Sequence, residues 1–371
     1  MSNLLISYFK YIYFLPIFIE SIFISLLLTP IIGSIARKFK VYDLPPSERK
    51  DSTAKRRIHD SAKLKLGGVS VIIPFLILIF IYIKINIDLV VFAIGIIILF
   101  IGGIIDDIYD LSAKIQFMIQ VLAVLIITFA GIDINYVSKP LGGIFSLNKI
   151  PFEFLGVHLY FVSLFLTIIW VLIIINAVKW MAGSDGLAEG NISIIAMIIA
   201  LLSIRFQTFN TAFMGFIFAG LMIGFLFYNF YPSKIFSGAS GKSVYGFIIA
   251  VLSIYSGAKL ASTLMVLAIP IIDLVWVIIS RIIEDRPKSL LSLININDKR
   301  HLHHRLLDLG FSQKKVALIE YSFTFILGLI ALIITGFHKA IILAFIIIFI
   351  FIVVVSITHI SNKNKSKVLN N

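Results

Sequence analysis

The eight residues Asp298-Lys299-Arg300-His301-Leu302-His303-His304-Arg305 place three fixed cations, three imidazoles and one acid between long apolar segments. Guanidinium, ammonium and imidazole groups offer many donors to phosphate oxygens. The histidines could ligate a metal in the abstract, but Lys299, Arg300 and Arg305 repel a dication and welcome an anion. A solvated basic loop meeting anionic head groups is the plainer alternative. A second cluster, Asp106-Asp107-x-x-Asp110, closes an apolar run. Residues three and four apart share a helix face, so Asp107 with Asp110, or Asp106 with Asp110, can converge. Such neighbours favour a bound cation or one carboxyl that keeps its proton. Acids at a helix C-terminus also oppose the macrodipole, which argues for a task other than capping. Together the two clusters suit a phosphorylated molecule met at a lipid boundary.

Three further loops carry polar chemistry. The first runs from Asp43 through Arg57 and His59 to Gly67-Gly68. Another, Asn176 to Gly190, surrounds Asp185 with glycines, which permit close backbone approach to a ligand. A third, Gly238-Ala239-Ser240-Gly241-Lys242-Ser243, lacks the spacing of a nucleotide-hydrolysing phosphate loop and any strand before it, but a local anion nest fits it. Asp273 follows Pro270 inside an apolar run, about 12 Å deeper than Arg281 by helix rise, so it should face the bundle interior. Trp180 reads as an interfacial belt residue rather than a stacking platform.

These loops need elements to hold them, and composition leaves one choice. Of 371 residues, 60% are hydrophobic, and apolar runs of the ~20 residues that cross a bilayer recur along almost the whole chain. About eleven are expected, centred near Phe23, Phe75, Ile97, Val124, Leu166, Ile198, Phe218, Ala250, Ala268, Leu327 and Phe345. The fold class is therefore an all-α polytopic membrane protein: a single integral membrane domain over 1–360 and a basic tail over 361–371. The net charge of +13 does not point to nucleic acid, because the cations follow the positive-inside rule. Numbering the loops from the first span puts 25 of the 32 Lys and Arg on one side. That predicts an outside N-terminus, a cytoplasmic C-terminus and all five polar loops on the cytoplasmic face. Cysteine is absent, so disulfides and thiolate metal sites are ruled out. The N-terminus has no basic segment before its first apolar run and reads as a retained helix.

In this order the loops resemble the polyprenyl-phosphate N-acetylhexosamine-1-phosphate transferases, membrane enzymes that move a sugar 1-phosphate from a UDP-sugar to a lipid phosphate. The matching elements are Arg57-x-His59 with Gly67-Gly68, Asp106 to Leu111, Asn176-Ala-Val, Asp185 to Ala188, Pro270-x-x-Asp273 and His301 to Arg305. The His-x-His-His-Arg form resembles the branch that uses UDP-GlcNAc and undecaprenyl phosphate to start cell-envelope polymers. The resemblance implies that Asp106 and Asp107 position or deprotonate the lipid phosphate and that Asp185 orients nucleotide or a metal. It implies that His301, His303, His304 and Arg305 hold the diphosphate, with Asp110, Asn176 and His59 in the binding set. It further implies polyprenyl phosphate, a UDP-sugar and membrane lipids as partners, a second copy of the chain as an option, and the plasma membrane as the location.

Four positions depart from the family's pattern. Lys179 stands where the family has Asn, Ala182 and Ala239 where it has Asp, and Lys242 where it has Ser. Magnesium is the cofactor expected from the family, and Asp185 is the one remaining candidate ligand of that loop. Two lost carboxylates and two gained ammonium groups make the site four units more positive. At ~6 Å and an effective dielectric near 20, each unit acting on a dication contributes about 5 kcal/mol. Two expectations follow: Lys179 and Lys242 clamp the pyrophosphate in place of the metal, or the site binds without turnover. A transporter or flippase is a more remote reading, since carriers bind near the midplane between repeats, whereas these polar residues gather on one face.

Overall fold

The computed structural model describes residues 2–48, 61–139, 143–257, 260–286, 299–334 and 337–369. Thirteen helices are described: α1 (Ser2–Lys38), α2 (Val69–Tyr82), α3 (Ile87–Tyr109), α4 (Ala113–Phe129), α5 (Phe161–Met181), α6 (Leu187–Arg205), α7 (Phe209–Asn229), α8 (Gly238–Tyr255), α9 (Leu260–Val266), α10 (Ala268–Asp285), α11 (Leu302–Asp308), α12 (Gln313–Ile333) and α13 (Phe337–Leu369). Each of the eleven expected centres lies in a helix, and the chain is an all-helical polytopic membrane protein. Among the described residues eight helices are long and apolar enough to cross a bilayer, or nine if α9 and α10, bent by 78°, form one span. The difference from eleven lies chiefly in α2 and α4. Their 14 and 17 residues reach only about 21 and 26 Å against ~30 Å of hydrocarbon. The last helix runs without a break from Phe337 through Leu369.

Caps set several boundaries. Asn86 accepts from the Leu89 N–H at 2.9 Å to start α3, and Ser112 and Ser312 do the same for α4 and α12 at 3.4 Å. Pro270 falls in the first turn of α10, where its missing N–H costs no helix bond. At the centre, α7 packs between α1 and α6, and α8 between α3 and α5. Rings of Phe75, Phe92, Phe218 and Phe247 interlock there at 5.4 to 6.4 Å. This aromatic core seats the N-terminus of α8, around which the polar loops gather.

Short strands complete the ends. β1 (Tyr42–Asp43) pairs antiparallel with β2 (Lys63–Leu64), and Leu64 bridges onward to Ile235. Between α4 and α5, β3 (Tyr136–Ser138) pairs with β4 (Ile144–Ser146), and β5 (Pro151–Phe154) with β6 (Val157–Tyr160). Two- to four-residue hairpins of this kind add no sheet layer and leave the helical class unchanged.

Candidate active site

The loop that ends at Gly67-Gly68 and the segment leading into Gly238 zip together through backbone bonds. Phe236 N–H donates to Leu64, Gly67 N–H to Phe236 and Gly68 N–H to Ser237, at 2.8 to 2.9 Å. The Lys63 ammonium reaches the Ser233 carbonyl at 2.7 Å. This zipper delivers α8's first turn to the end of α3. There the buried Asp107 carboxylate accepts from Ala239 N–H at 2.8 Å, Ser240 N–H at 3.0 Å and the Ser240 hydroxyl at 2.7 Å. The anion nest expected at 238–243 therefore exists, and its anion is Asp107. Gly103 makes the approach possible, since a Cβ there would overlap the Ser240 backbone.

The three acids of the second cluster do not converge. Asp107 turns into α8, whereas Asp106 stays half-buried and accepts from the Gln116 amide at 2.8 Å. Asp110 caps α3 in the left-handed region, at φ 50°, and its exposed side chain lies 3.5 Å from Lys65. That ammonium also donates to the Asp107 carbonyl at 3.3 Å. The left-handed cap breaks the helical spacing that would have aligned Asp110 with its neighbours. Lys179 donates to Gln116 and so sits one residue away from Asp106. Asn176, a turn earlier on α5, donates to Gln120 at 3.0 Å. A small cleft opens beside Asp106, walled by Leu99, Gly102, Ile119, Gln120 and Ser243.

On the far side of α8's first turn, Asp185 accepts from Ser233 N–H at 2.8 Å, and the buried Glu189 accepts from the Ser237 hydroxyl at 2.7 Å. Lys242 donates to the Ala182 carbonyl at 3.0 Å, tying together two of the four departing positions. Gly183 brings in the histidine segment: a Cβ there would strike Nε2 of His303. Asp107, Asp185 and His303 are thereby linked through adjoining contacts in one polar layer.

Asp273, buried in α10, orients that segment. Its Oδ2 pairs with His301 Nδ1 at 2.8 Å, and its Oδ1 accepts from Leu302 N–H at 2.7 Å. Arg300 anchors the segment to the end of α10 through Asp285, at 2.6 and 2.8 Å, and Glu284. His303 stacks between His301 at 5.8 Å and His304 at 4.2 Å. Burial, with His304 and His301 alongside, holds the His303 imidazole well below its usual range. Burial, with His301 and Lys299 nearby, lowers His304 to about 4. Near pH 7 both are neutral donors rather than cations. Arg305 is buried in α11. Arg57, His59 and Asp298 lie outside the described residues.

Trp180 is not a belt residue. Its ring carries the Arg281 guanidinium at 4.8 Å and meets the His301 edge at 5.5 Å, making it a platform inside the site. Sequence reasoning also passed over Lys65, Gln116, Gln120 and Glu189. Glu189 alone had a local signal, an acid in the first turn of α6. The others acquire their place only through neighbours on different helices.

A family model described as glycosyl transferase family 4 matches residues 89–257. A probable undecaprenyl-phosphate N-acetylglucosaminyl 1-phosphate transferase of Bacillus subtilis (strain 168) is 30% identical, over 93% of this chain and 92% of its own. The chain belongs to glycosyl transferase family 4. Another relative, the undecaprenyl-phosphate alpha-N-acetylglucosaminyl 1-phosphate transferase of Thermotoga maritima, is 26% identical over 83% of this chain and 87% of its own. A decaprenyl-phosphate N-acetylglucosaminephosphotransferase of Mycobacterium leprae is 31% identical over 59% and 58%. This family 4 member is thus a multi-pass membrane enzyme that transfers a phospho-sugar. Its matched segment contains Asp106, Asp107, Asp185 and the start of α8, while α10 and α11 lie beyond the family model but within the Bacillus match.

Proposed function

We propose that this enzyme transfers GlcNAc-1-phosphate from UDP-GlcNAc to undecaprenyl or a similar polyprenyl phosphate, releasing UMP and starting a cell-envelope glycan. The observation that carries the reading is the cleft beside Asp106, where a half-buried carboxylate and the Gln116 side chain, held by Lys179, meet the apolar walls of Leu99 and Ile119. An amphiphile with a phosphate head and an isoprenoid tail suits that contrast. The lipid phosphate oxygen attacks the β-phosphorus and UMP leaves. A phosphate monoester with a second pKa near ~6 is largely ionised already, so Asp106 serves by positioning, through Gln116, more than as a base. Lys179 and Lys242 face the diphosphate, and His303 and His304 with Arg305 take up charge developing on UMP. The cation bias supports a cytoplasmic active face at the plasma membrane.

The residues present do not fit a magnesium ion. The Asp185 carboxylate is engaged by Ser233, Ala182 and Ala239 supply no side-chain ligand, and the Lys242 ammonium is held at the Ala182 carbonyl. Among the described residues no three His, Asp or Glu side chains converge as ligands. The lysines supply the positive charge. The deciding experiment gives purified enzyme UDP-GlcNAc and polyprenyl phosphate, with magnesium or with EDTA, and measures UMP. Release that survives chelation supports the reading. Release only with magnesium removes the lysine clamp, and no release under either condition leaves a binding protein without turnover.

A further inference from the structure

Glu320 lies in α12, 3% exposed, with no hydrogen bond or ion pair among the described residues. A carboxyl without a protein partner inside an apolar span is costly and marks a function or a partner. It opens on a small cavity, with space for about one water, lined by Asp273, Leu302, His303, Met181, Ile269 and Pro270. Each oxygen of Asp273 already holds one donor, His301 and Leu302 N–H. The two polar side chains on this cavity without a hydrogen-bond partner among the described residues are Glu320 and His303. The Nε2 atom of His303 is buried without a partner and lies against Gly183, on the loop side, while the ring also walls the cavity that Glu320 enters.

We propose that Glu320 is a positioning residue for His303, joined to it by one cavity water in a carboxyl–water–imidazole relay. In the resting enzyme the Glu320 O–H donates to the water and the water donates to Nδ1, which leaves the imidazole proton on Nε2, toward Gly183. When an anionic diphosphate reaches Nε2, one proton passes from Glu320 through the water to Nδ1. The products are a Glu320 carboxylate and a His303 imidazolium, with no net proton uptake, and loss of the anion reverses the transfer. The charged and titratable groups around the pair are Asp273 on α10, His301 and His304 beside His303, and Tyr321 next to Glu320. Asp273 is committed to His301 and Tyr321 donates to the Gly186 carbonyl, so neither replaces Glu320. The relay rests on the transferase reading only for the identity of the anion.

The test uses the full-length chain in lipid nanodiscs with 15N-labelled histidine. Ring nitrogen shifts follow the protonation of His303, assigned by its loss in H303Q. Inorganic pyrophosphate is the probe anion. At neutral pH its addition is expected to bring the His303 nitrogens to imidazolium shifts in wild type and in E320D, but not in E320Q. The same response in wild type and E320Q overturns the relay, whatever the enzyme turns over, and so does no response in wild type. UMP release is the second readout: E320Q loses at least tenfold in kcat with KM within twofold, and E320D recovers most of it. Equal kcat in wild type and E320Q also overturns the relay. Absence of UMP from wild type counts against the transferase reading and leaves the pyrophosphate result standing. Should E320Q fail to fold, E320D carries the test, and a missing pyrophosphate response in that variant goes against the relay.

Discussion

Replacing Asp107 by alanine removes the acceptor for three donors at the start of α8: the Ala239 and Ser240 amides and the Ser240 hydroxyl. Ser240 is fully buried, so water cannot take the carboxylate's place there. A stranded buried donor costs roughly 1–3 kcal/mol. Ala239 lines the cleft and can find water, and the hydroxyl can turn to the Ser237 carbonyl at 3.3 Å. One amide thus carries most of the loss, and the missing anion at the helix N-terminus adds about 0.3–1 kcal/mol. The expected penalty is about 1–4 kcal/mol. Asp106 makes a half-buried bond to Gln116, so D106A should cost about 1 kcal/mol. Thermal unfolding of both variants in one detergent, followed by intrinsic fluorescence, gives the comparison, with UMP release measured on the folded material. D107A should melt several degrees lower, while D106A melts only about 1–2 °C below wild type and loses turnover at least a hundredfold. A D107A protein as stable as wild type would falsify the capping role, and a D106A protein with full turnover would remove Asp106 from the chemistry.

Gly183→Ala drives a methyl into His303 and should cut UMP release at least tenfold with little change in melting temperature; unchanged kinetics would mean that the histidine segment sits elsewhere. The folded pKa of His304, about 4, lies below its unfolded value near ~6.5. The unfolded chain therefore binds the extra proton first, and stability falls as pH drops from about 6.5 towards 4, by up to roughly 3 kcal/mol. Melting curves from pH 7.5 to 4.5 should show that slope in wild type and a shallower one in H304Q; parallel curves count against it. K242S combined with A182D removes one positive charge and adds one negative, which should make turnover respond to magnesium. If EDTA leaves that variant as active as its parent, the charge argument fails.

The membrane class, the helical content and the polar segments that matter were legible in the sequence, because hydrophobic length and charge bias act locally along the chain. Asp106 and the histidines could be singled out on residue type and spacing alone, and Lys179 as a departure from the family's pattern. What each side chain does was not legible. Asp106 and Asp107 are adjacent and chemically identical, yet one faces a cleft and the other caps α8. The difference arises from a zipper between residues about 170 positions apart and from a left-handed turn at Asp110 that swings the third acid away. Trp180 carries Arg281, and Glu320 shares a cavity with His303, only because α5, α10, α11 and α12 pack at one end of the bundle. Side-chain periodicity assigns a face within a helix; the partner on that face is set by long-range packing, which no local pattern encodes.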